Sequence, residues 1–392
     1  MEDVNEMFSP FQKELKPKQR LVPHLFKMTK YNAHYRMLQL AVKHGFVIDQ
    51  IHSIVVCDKA CWLKDYIELN NKLRTIADTN GEKFKVNLNK NMNNFLFGKM
   101  IEDVRKRVKM YIKKDDDEAR KIISKPNFKR SVNLNDDMIL LETTIASLTL
   151  DRPIYVGAAI LELAKLKMFE FHYDVMKNFY RDNERCTLLY TDTDSTIYEI
   201  RTEDVYKDMS SEGMINHFDF SQYSNNSIQF AHINDFESLR KKNKKVLGKM
   251  KDELGDMIMD EFIGHKSKAY SYTIQVPVSA KPLQGTIFSR NIFNPKTGIT
   301  CRVFEKVVEK GIKENIKKAN FRFKHYKRLL DHMKKGKVLK ISVRQVQFKS
   351  KKHQIHTESV RKVALSATDT KRYLVDHINT LPFGHFETLP KP

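Results

Sequence analysis

Apolar positions along this chain recur at two spacings, and the switches between them outline its elements. From Val156 to Tyr180, Leu161, Ala164, Met168, Phe171, Val175 and Phe179 fall at helical intervals and form one broad stripe, predicting a helix packed on a sheet. Similar spacing predicts helices over Tyr31 to His44, Trp62 to Ala77, and about Val86 to Lys109, with Asp78-Thr79-Asn80-Gly81 as punctuation. Ser53 to Cys57 reads as a short strand. Thr187-Leu188-Leu189-Tyr190 and Ser195-Thr196-Ile197-Tyr198 read as the arms of a hairpin turning at Thr191 to Asp194. Residues 207–230, rich in Ser and Asn, follow neither period and read as a loop excursion. Asp115-Asp116-Asp117-Glu118, beside Lys113 and Lys114, reads as a solvated charged turn. A β-rich basic tail runs from Val338 to Ser366, and the Pro-dotted first 30 residues read as extended. Helices and hairpins without strict βαβ alternation predict an α+β fold rather than a Rossmann sheet. No period of 20–50 residues repeats, which excludes a solenoid.

Composition narrows the partners. Across 392 residues, 41% hydrophobic and 10% aromatic content supports a sizeable core divided between two or three domains. Lys+Arg 70 against Asp+Glu 48 leaves a net charge of +22, which points to a polyanionic partner, nucleic acid first. Four cysteines in so long a chain are no disulfide framework. Cys57 and Cys61 with His52 could form half a zinc site, but no second pair at ligand spacing follows, so reduced thiols are expected. The opening Met1-Glu2-Asp3-Val4 has neither the basic nor the apolar region of a signal peptide. The longest apolar stretch, Val156 to Phe171, is broken by Glu162, Lys165, Lys167 and Glu170, so no membrane span is expected. A soluble protein of a reducing, intracellular compartment is the expectation. Arg240-Lys241-Lys242-Asn243-Lys244-Lys245 is compatible with a DNA-contacting face, a solvated face or a nuclear import signal.

Two segments carry candidate chemistry. Tyr190-Thr191-Asp192-Thr193-Asp194-Ser195 sits between strand segments, where carboxylates two residues apart can share a face. Hard oxygen ligands on rigid strands suit Mg²⁺, with phosphate and water oxygens completing its shell. An Asp-rich turn and a D-x-D glycosyltransferase site share that short pattern. On the helix around Lys90, positions 90, 94, 97 and 98 fall on one face: a cation, an amide, an aromatic ring and a bare glycine. Lys90 could hold a triphosphate, Phe97 could cover a base, and Gly98 permits close approach of a base pair. A helix with a mixed polar face carries the same residues.

Together, these segments resemble family B DNA polymerases. Lys90 to Gly98 is similar to their fingers motif K-x3-N-S-x-Y-G, with Phe97 where Tyr is usual. Tyr190 to Ser195 is similar to the palm motif Y-x-D-T-D-S, and Lys268-Ala269-Tyr270 to the K-x-Y motif near the primer end. Further stretches resemble the protein-primed polymerases of viruses and of Polinton-like (Maverick) transposons. They are Trp62-Leu63-Lys64-x-Tyr66-Ile67, Leu161 to Lys165, Lys249-x-Lys251-Asp252-Glu253-Leu254 and Ser350 to Gln354. The resemblance implies a right-hand polymerase fragment with an antiparallel palm sheet, helical fingers and a β-rich thumb. It divides the chain into a palm-proximal or priming segment at 1–77, fingers at 78–112, palm at 113–300 and thumb at 301–392. It implies two Mg²⁺ ions on Asp194 and Asp192, with Mn²⁺ able to substitute, and Lys90, Asn94, Phe97 and Gly98 around the deoxynucleoside triphosphate. Lys268 and Tyr270 would hold the primer terminus. Lys351, Lys352, Lys371 and Arg372 would grip phosphates of the primer–template without reading sequence. A terminal priming protein is a further implied partner.

The departures are specific. The first palm motif, D-x-x-S-L-Y-P, and the acidic exonuclease residues have no counterpart here, and Asp3 in Asp3-Val4-Asn5-Glu6 mimics the former only loosely. Phe95 stands where the family carries a small residue. A carboxyl-terminal polymerase portion is therefore expected, catalytically incomplete alone. The contrasting expectation is a non-catalytic DNA-binding remnant. A glycosyltransferase would need neither the Lys90 helix, nor Lys268-Ala269-Tyr270, nor the +22 charge.

Overall fold

The structure is a computed structural model that describes residues 8–10, 22–58, 60–145, 147–181, 184–255, 257–279, 288–294, 299–337, 339–351, 354–366 and 371–388. The chain divides into two compact units, one of residues 30–169 and 348–357, the other of 1–29, 170–347 and 358–392. Asp3 and Lys352 lie outside the described residues, as does the side chain of Lys351.

In the first unit, helices α1 (Tyr35–Lys43), α2 (Lys64–Thr79) and α3 (Lys83–Met100) precede strand β1 (Val108–Lys113) and helix α4 (Asp116–Ile123). Strands β2 (Phe128–Asn135) and β3 (Met138–Thr144) follow, then α5 (Ile154–Phe169). The antiparallel sheet runs β1-β3-β2, so the hairpin partner β3 lies at its centre. The acidic run is no free turn. Asp115 caps α4 by accepting from the Asp117 and Glu118 backbone N–H groups, and three acids then occupy the positive first turn.

The helix expected to reach Lys109 ends at Met100; a loop with a 3₁₀ turn at Val104–Lys106 follows, and β1 begins at Val108. The strand expected at Ser53 to Cys57 is absent. That stretch is extended but unpaired among the described residues, with Ile54, Val55 and Val56 74%, 83% and 87% exposed. β-Branched composition alone does not supply a partner for the backbone. Helix α5 packs on α1 and α3 rather than on a sheet. Gly157 makes that approach possible, because a Cβ there would lie 2.1 Å from Ile101 Cγ2.

In the second unit, a π-helical segment, Glu170–Met176, leads into α6 (Lys177–Tyr180). Strands β4 (Cys186–Asp192) and β5 (Ser195–Ile200) form the expected hairpin. Helices α7 (Val205–Ser210) and α8 (Phe236–Lys242) follow, then the antiparallel sheet β6-β7-β9-β8. Its strands are β6 (Met259–Lys266), β7 (Ala269–Pro277), β8 (Phe288–Asn294) and β9 (Ile299–Glu309). Helices α9 (Glu314–Asn320) and α10 (Phe323–Lys334) come next, with α10 packed on β6, β7 and β9. A two-stranded ribbon, β10 (Lys340–Lys351) with β11 (Gln354–Ser366), and a small pair, β12 (Tyr373–Leu374) with β13 (Thr380–Leu381), complete the fold.

Of the loop excursion expected at 207–230, residues up to Ser210 belong to α7, and the irregular remainder packs into the core. Phe218, Phe220, Tyr223 and Phe230 are buried with Phe171, Tyr180, Cys186, Tyr206 and Phe236 in one aromatic cluster, against which Tyr198 and Ile200 of the hairpin pack. A clasp joins residues far apart in the chain. Leu25 N–H donates to Phe383 O at 2.8 Å, and Phe383 N–H donates to Pro23 O at 3.2 Å. Gly384, at φ +77°, leaves room for Phe26, whose ring carbons would lie 2.8 Å from an added Cβ.

Candidate active site

The hairpin places its two carboxylates differently from simple strand alternation. Asp192 ends β4 opposite Ser195, whereas Thr193 and Asp194 form the two-residue turn between the strands. The direction of Asp194 is therefore set by the turn and not by the pleat. Thr193 adopts φ +55°, the left-handed region that a β-branched residue rarely occupies. The turn is held by Asp194 N–H donating to Asp192 O at 2.6 Å and Ser195 Oγ donating to the same oxygen at 3.1 Å. The Asp194 carboxylate is exposed.

Lys268 and Tyr270, expected to act together with this hairpin, do meet it. Lys268 lies in the β6–β7 turn, opposite in construction: Lys266 pairs with Ala269, and Lys268 also takes a left-handed φ of +58°. Its Nζ donates to Asp192 Oδ2 at 2.5 Å, and its backbone N–H donates to Tyr190 Oη at 3.1 Å. The Tyr190 and Tyr270 rings lie 4.7 Å apart, centroid to centroid. Thus two strained turns are fastened tip to tip by one ion pair and one backbone-to-phenol hydrogen bond.

The hydrogen bond from Lys268 holds the Asp192 carboxyl below the ordinary aspartate value, and the same bond raises the Lys268 ammonium. A group with a depressed folded value contributes stability above its unfolded value and loses it as pH falls through the folded one. The pair is therefore expected to persist at pH 4 and to break only in stronger acid. A carbon-detected NMR titration should place the Asp192 midpoint below 3.8, and Lys268→Gln should move it back towards 3.8.

Behind Lys268 the residue that follows β9 supplies support: Lys310 N–H donates to Lys268 O at 3.2 Å. The preceding residue, Glu309, is buried, and Tyr326 Oη donates to its Oε2 at 3.4 Å. Burial pushes the Glu309 carboxyl up to about 7 and pushes the neighbouring His265, stacked on Tyr326, down to about 4. Between pH 4.5 and about 7 the folded protein keeps a proton on Glu309 that the unfolded chain releases, so this group lowers stability as pH rises. His265 has the opposite slope between about 4 and 6.5. Urea unfolding at pH 5 and pH 8 should therefore show Glu309→Gln gaining stability relative to wild type at the higher pH.

The nucleotide-binding candidates lie in the other unit, on α3. Helix α3 packs against α2 through an amide ladder: Asn70 Nδ2 donates to Asn93 Oδ1 at 2.8 Å, and Asn93 Nδ2 donates to Asn71 Oδ1 at 3.3 Å. A satisfied polar seam of this kind fixes the register of two helices. With Asn93 turned inward, Lys90, Asn94 and Gly98 lie at i, i+4 and i+8 on the exposed face, and Phe97 is half-buried at its border. No heavy atom lies within 4 Å of a Cβ added at Gly98. Phe95 does not turn into the core but stands 63% exposed beside that face. The amide ladder was missed from sequence; asparagines at positions 70, 71 and 93 facing each other were its signal.

The tail residues divide. Arg372 spends its guanidinium locally, donating to Thr380 Oγ1 at 2.9 Å and to Thr380 O at 3.2 Å, which ties β12 to β13. Lys371 is exposed. Among the described residues no three His, Cys, Asp or Glu side chains converge as a metal-ligating group, and no described helix is long and apolar enough to cross a membrane. Cys57 and Cys61 are exposed, Cys186 is buried and Cys301 is half-buried. Magnesium commonly takes one or two protein carboxylates and completes its shell with phosphate and water. Asp192 is engaged by Lys268, and Asp194 stands exposed at the turn. They fall short of a two-ion ligand set.

Residues 4–178 match the family model for DNA polymerase type B, organellar and viral. The matched span includes Lys90 to Gly98 and ends before the Tyr190 to Ser195 hairpin. No curated protein and no solved structure matches the chain.

Proposed function

We propose that this chain is the carboxyl-terminal portion of a protein-primed family B DNA polymerase of the viral or Polinton type, containing palm, fingers and thumb elements. Its reaction is template-directed transfer of a deoxynucleotide to a primer 3′-hydroxyl. The observation that carries the reading is the Asp192–Lys268 contact, which unites the two motifs expected at the metal and at the primer end. A divalent ion, Mg²⁺ or Mn²⁺, would supply charge neutralisation on the triphosphate and activation of the hydroxyl.

The protein's own groups have distinct tasks in this reading. Asp194 is the principal ligand, being exposed at the turn, and Asp192 assists while Lys268 holds it in place. Lys90 offsets triphosphate charge, Asn94 and Phe97 line the nucleotide pocket, and Gly98 leaves room for the base pair. Lys268 and Tyr270 position the primer terminus, and Lys351, Lys352 and Lys371 touch backbone phosphates. Arg372 acts through the fold of the thumb, with Thr380 as its partner.

The test is primer extension on a gapped template with each deoxynucleoside triphosphate supplied singly, in Mg²⁺ or Mn²⁺. Incorporation dictated by the template base supports the proposal. Salt-dependent DNA binding without incorporation would instead make the isolated chain a non-catalytic remnant.

A further inference from the structure

Seven cations and no acid occupy the twelve residues from Arg240 to Lys251: Arg240, Lys241, Lys242, Lys244, Lys245, Lys249 and Lys251. A run like this is usually a solvated face, and its geometry here is different. The backbone is fastened to the aromatic cluster at every turn. Buried Asn243 donates from Nδ2 to Phe218 O at 2.8 Å, and Met250 N–H donates to His217 O at 2.8 Å. Lys245, at φ +58°, donates its N–H to Asp219 Oδ2 at 3.0 Å.

The nearby acids are turned to structural work. Asp219 is buried and also accepts from Ser221 N–H, while Asp252 accepts from Tyr223 Oη at 2.7 Å and from Leu254 N–H. On the cation side, Lys241 pairs with Glu237. Lys242 and Lys249 rest on the Asn216 side-chain and backbone oxygens, and Lys251 on Ser221 Oγ. Arg240 rests on Asn225. Those uncharged acceptors orient the cations without neutralising them. Asp219 is buried, Asp252 is half-buried against Tyr223 and Glu237 is taken up by Lys241, while Lys242 and Lys244 stand exposed, so the ridge presents a preorganised positive field.

We propose that Arg240–Lys251 is a second nucleic-acid surface, which grips the phosphate backbone of duplex DNA without reading its sequence. It rests on the reading of the chain as a DNA-handling protein, but it uses none of the residues assigned to the primer terminus or the nucleotide. Duplex is favoured over single strand because the aromatics of this region, Phe218, Phe220, Phe230 and Phe236, are all buried, leaving no stacking platform for unpaired bases. An anionic bilayer is disfavoured because exposed apolar area on the ridge is confined to Val246 and Leu247, too little for an inserting face.

The experiment measures binding of the full chain to a fluorescent duplex, a single strand of equal length and anionic phosphatidylserine vesicles, over a range of KCl. Lys242→Gln, Lys244→Gln and Lys249→Gln are combined in one variant. A control variant removes three lysines already in exposed ion pairs in the other unit, Lys64→Gln, Lys85→Gln and Lys106→Gln. The ridge variant is expected to bind duplex about tenfold or more weakly near 0.15 M salt. Its log–log salt slope should be shallower by about 2 to 3, since each phosphate contact contributes about 0.9. Lys244→Gln alone should lower the slope by about 1.

Unchanged slopes, equal losses in ridge and control variants, or a loss confined to vesicles would overturn the proposal. Because the readout is binding, it is separable from catalysis. A chain that extends no primer but loses duplex affinity through the ridge would sink the polymerase reading and leave this surface standing.

Discussion

Replacing Asp194 by asparagine is expected to reduce template-directed extension by about three orders of magnitude or more, with DNA affinity within about twofold of wild type. The substitution keeps size and shape and removes one negative charge. Asp194 supplies its backbone N–H to the turn, but no described residue hydrogen-bonds its carboxylate, so the fold does not depend on that charge. The thermal midpoint should accordingly be unchanged, as for other exposed substitutions away from caps and ion pairs. Asp192→Asn is a useful contrast. It removes the charge that pairs with Lys268 and weakens the link between the two turns, so its loss should be smaller in rate and accompanied by weaker primer binding. Single-turnover extension with varied primer concentration separates the two. Equal extension by Asp194→Asn and wild type would remove this residue from the site.

Phe220→Ala is expected to destabilise its unit by about 3–5 kcal/mol. The ring is 0% exposed and touches Phe218, Tyr223, Phe230 and Phe236, with centroid separations between 5.3 and 6.3 Å. Removing it leaves a cavity that rigid aromatic neighbours cannot collapse to fill. Because Cys186, Tyr198 and Ile200 belong to the same cluster, the Asp192–Asp194 turn should lose rigidity as well. Phe220→Leu should recover most of the stability. Urea unfolding followed by tyrosine fluorescence reads the difference, and a cost below about 1 kcal/mol would mean that the cluster is not a cooperative core.

The β4–β5 hairpin was legible because its signals are local. Apolar arms of four residues flank a polar turn, and strand pairing followed from them directly. The outward face of α3 was legible for the same reason, since helical spacing alone places Lys90, Asn94 and Gly98 together. The aromatic cluster was not, because its residues are buried from loops and short 3₁₀ turns, where no period marks the inward side. Aromatic density between Phe218 and Phe236 was the available signal. The sheet β1-β3-β2 escaped because the acids at 115–118 were read as solvated charge, when Asp115 and the acids after it are what a helix N-terminus requires. The Asp192–Lys268 pair joins residues 76 positions apart, a distance at which motif order could suggest partnership but not contact.

The clasp between Pro23, Leu25 and Phe383 imposes a timetable on synthesis. The unit holding the Asp194 turn is discontinuous, and its earliest and latest pieces are hydrogen-bonded to each other. The segment at 22–26 must therefore wait, unpaired, while more than 350 further residues leave the ribosome. The helical unit at 30–169 has nearly all of its chain available long before then. Ribosomes stalled near residue 200 and near residue 380 should carry nascent chains in which the helical unit resists protease and the clasped segment is still cut. A premature stop a few codons before Phe383 would leave Asp192, Asp194, Lys268 and Tyr270 translated and the strap that closes their unit without its partner.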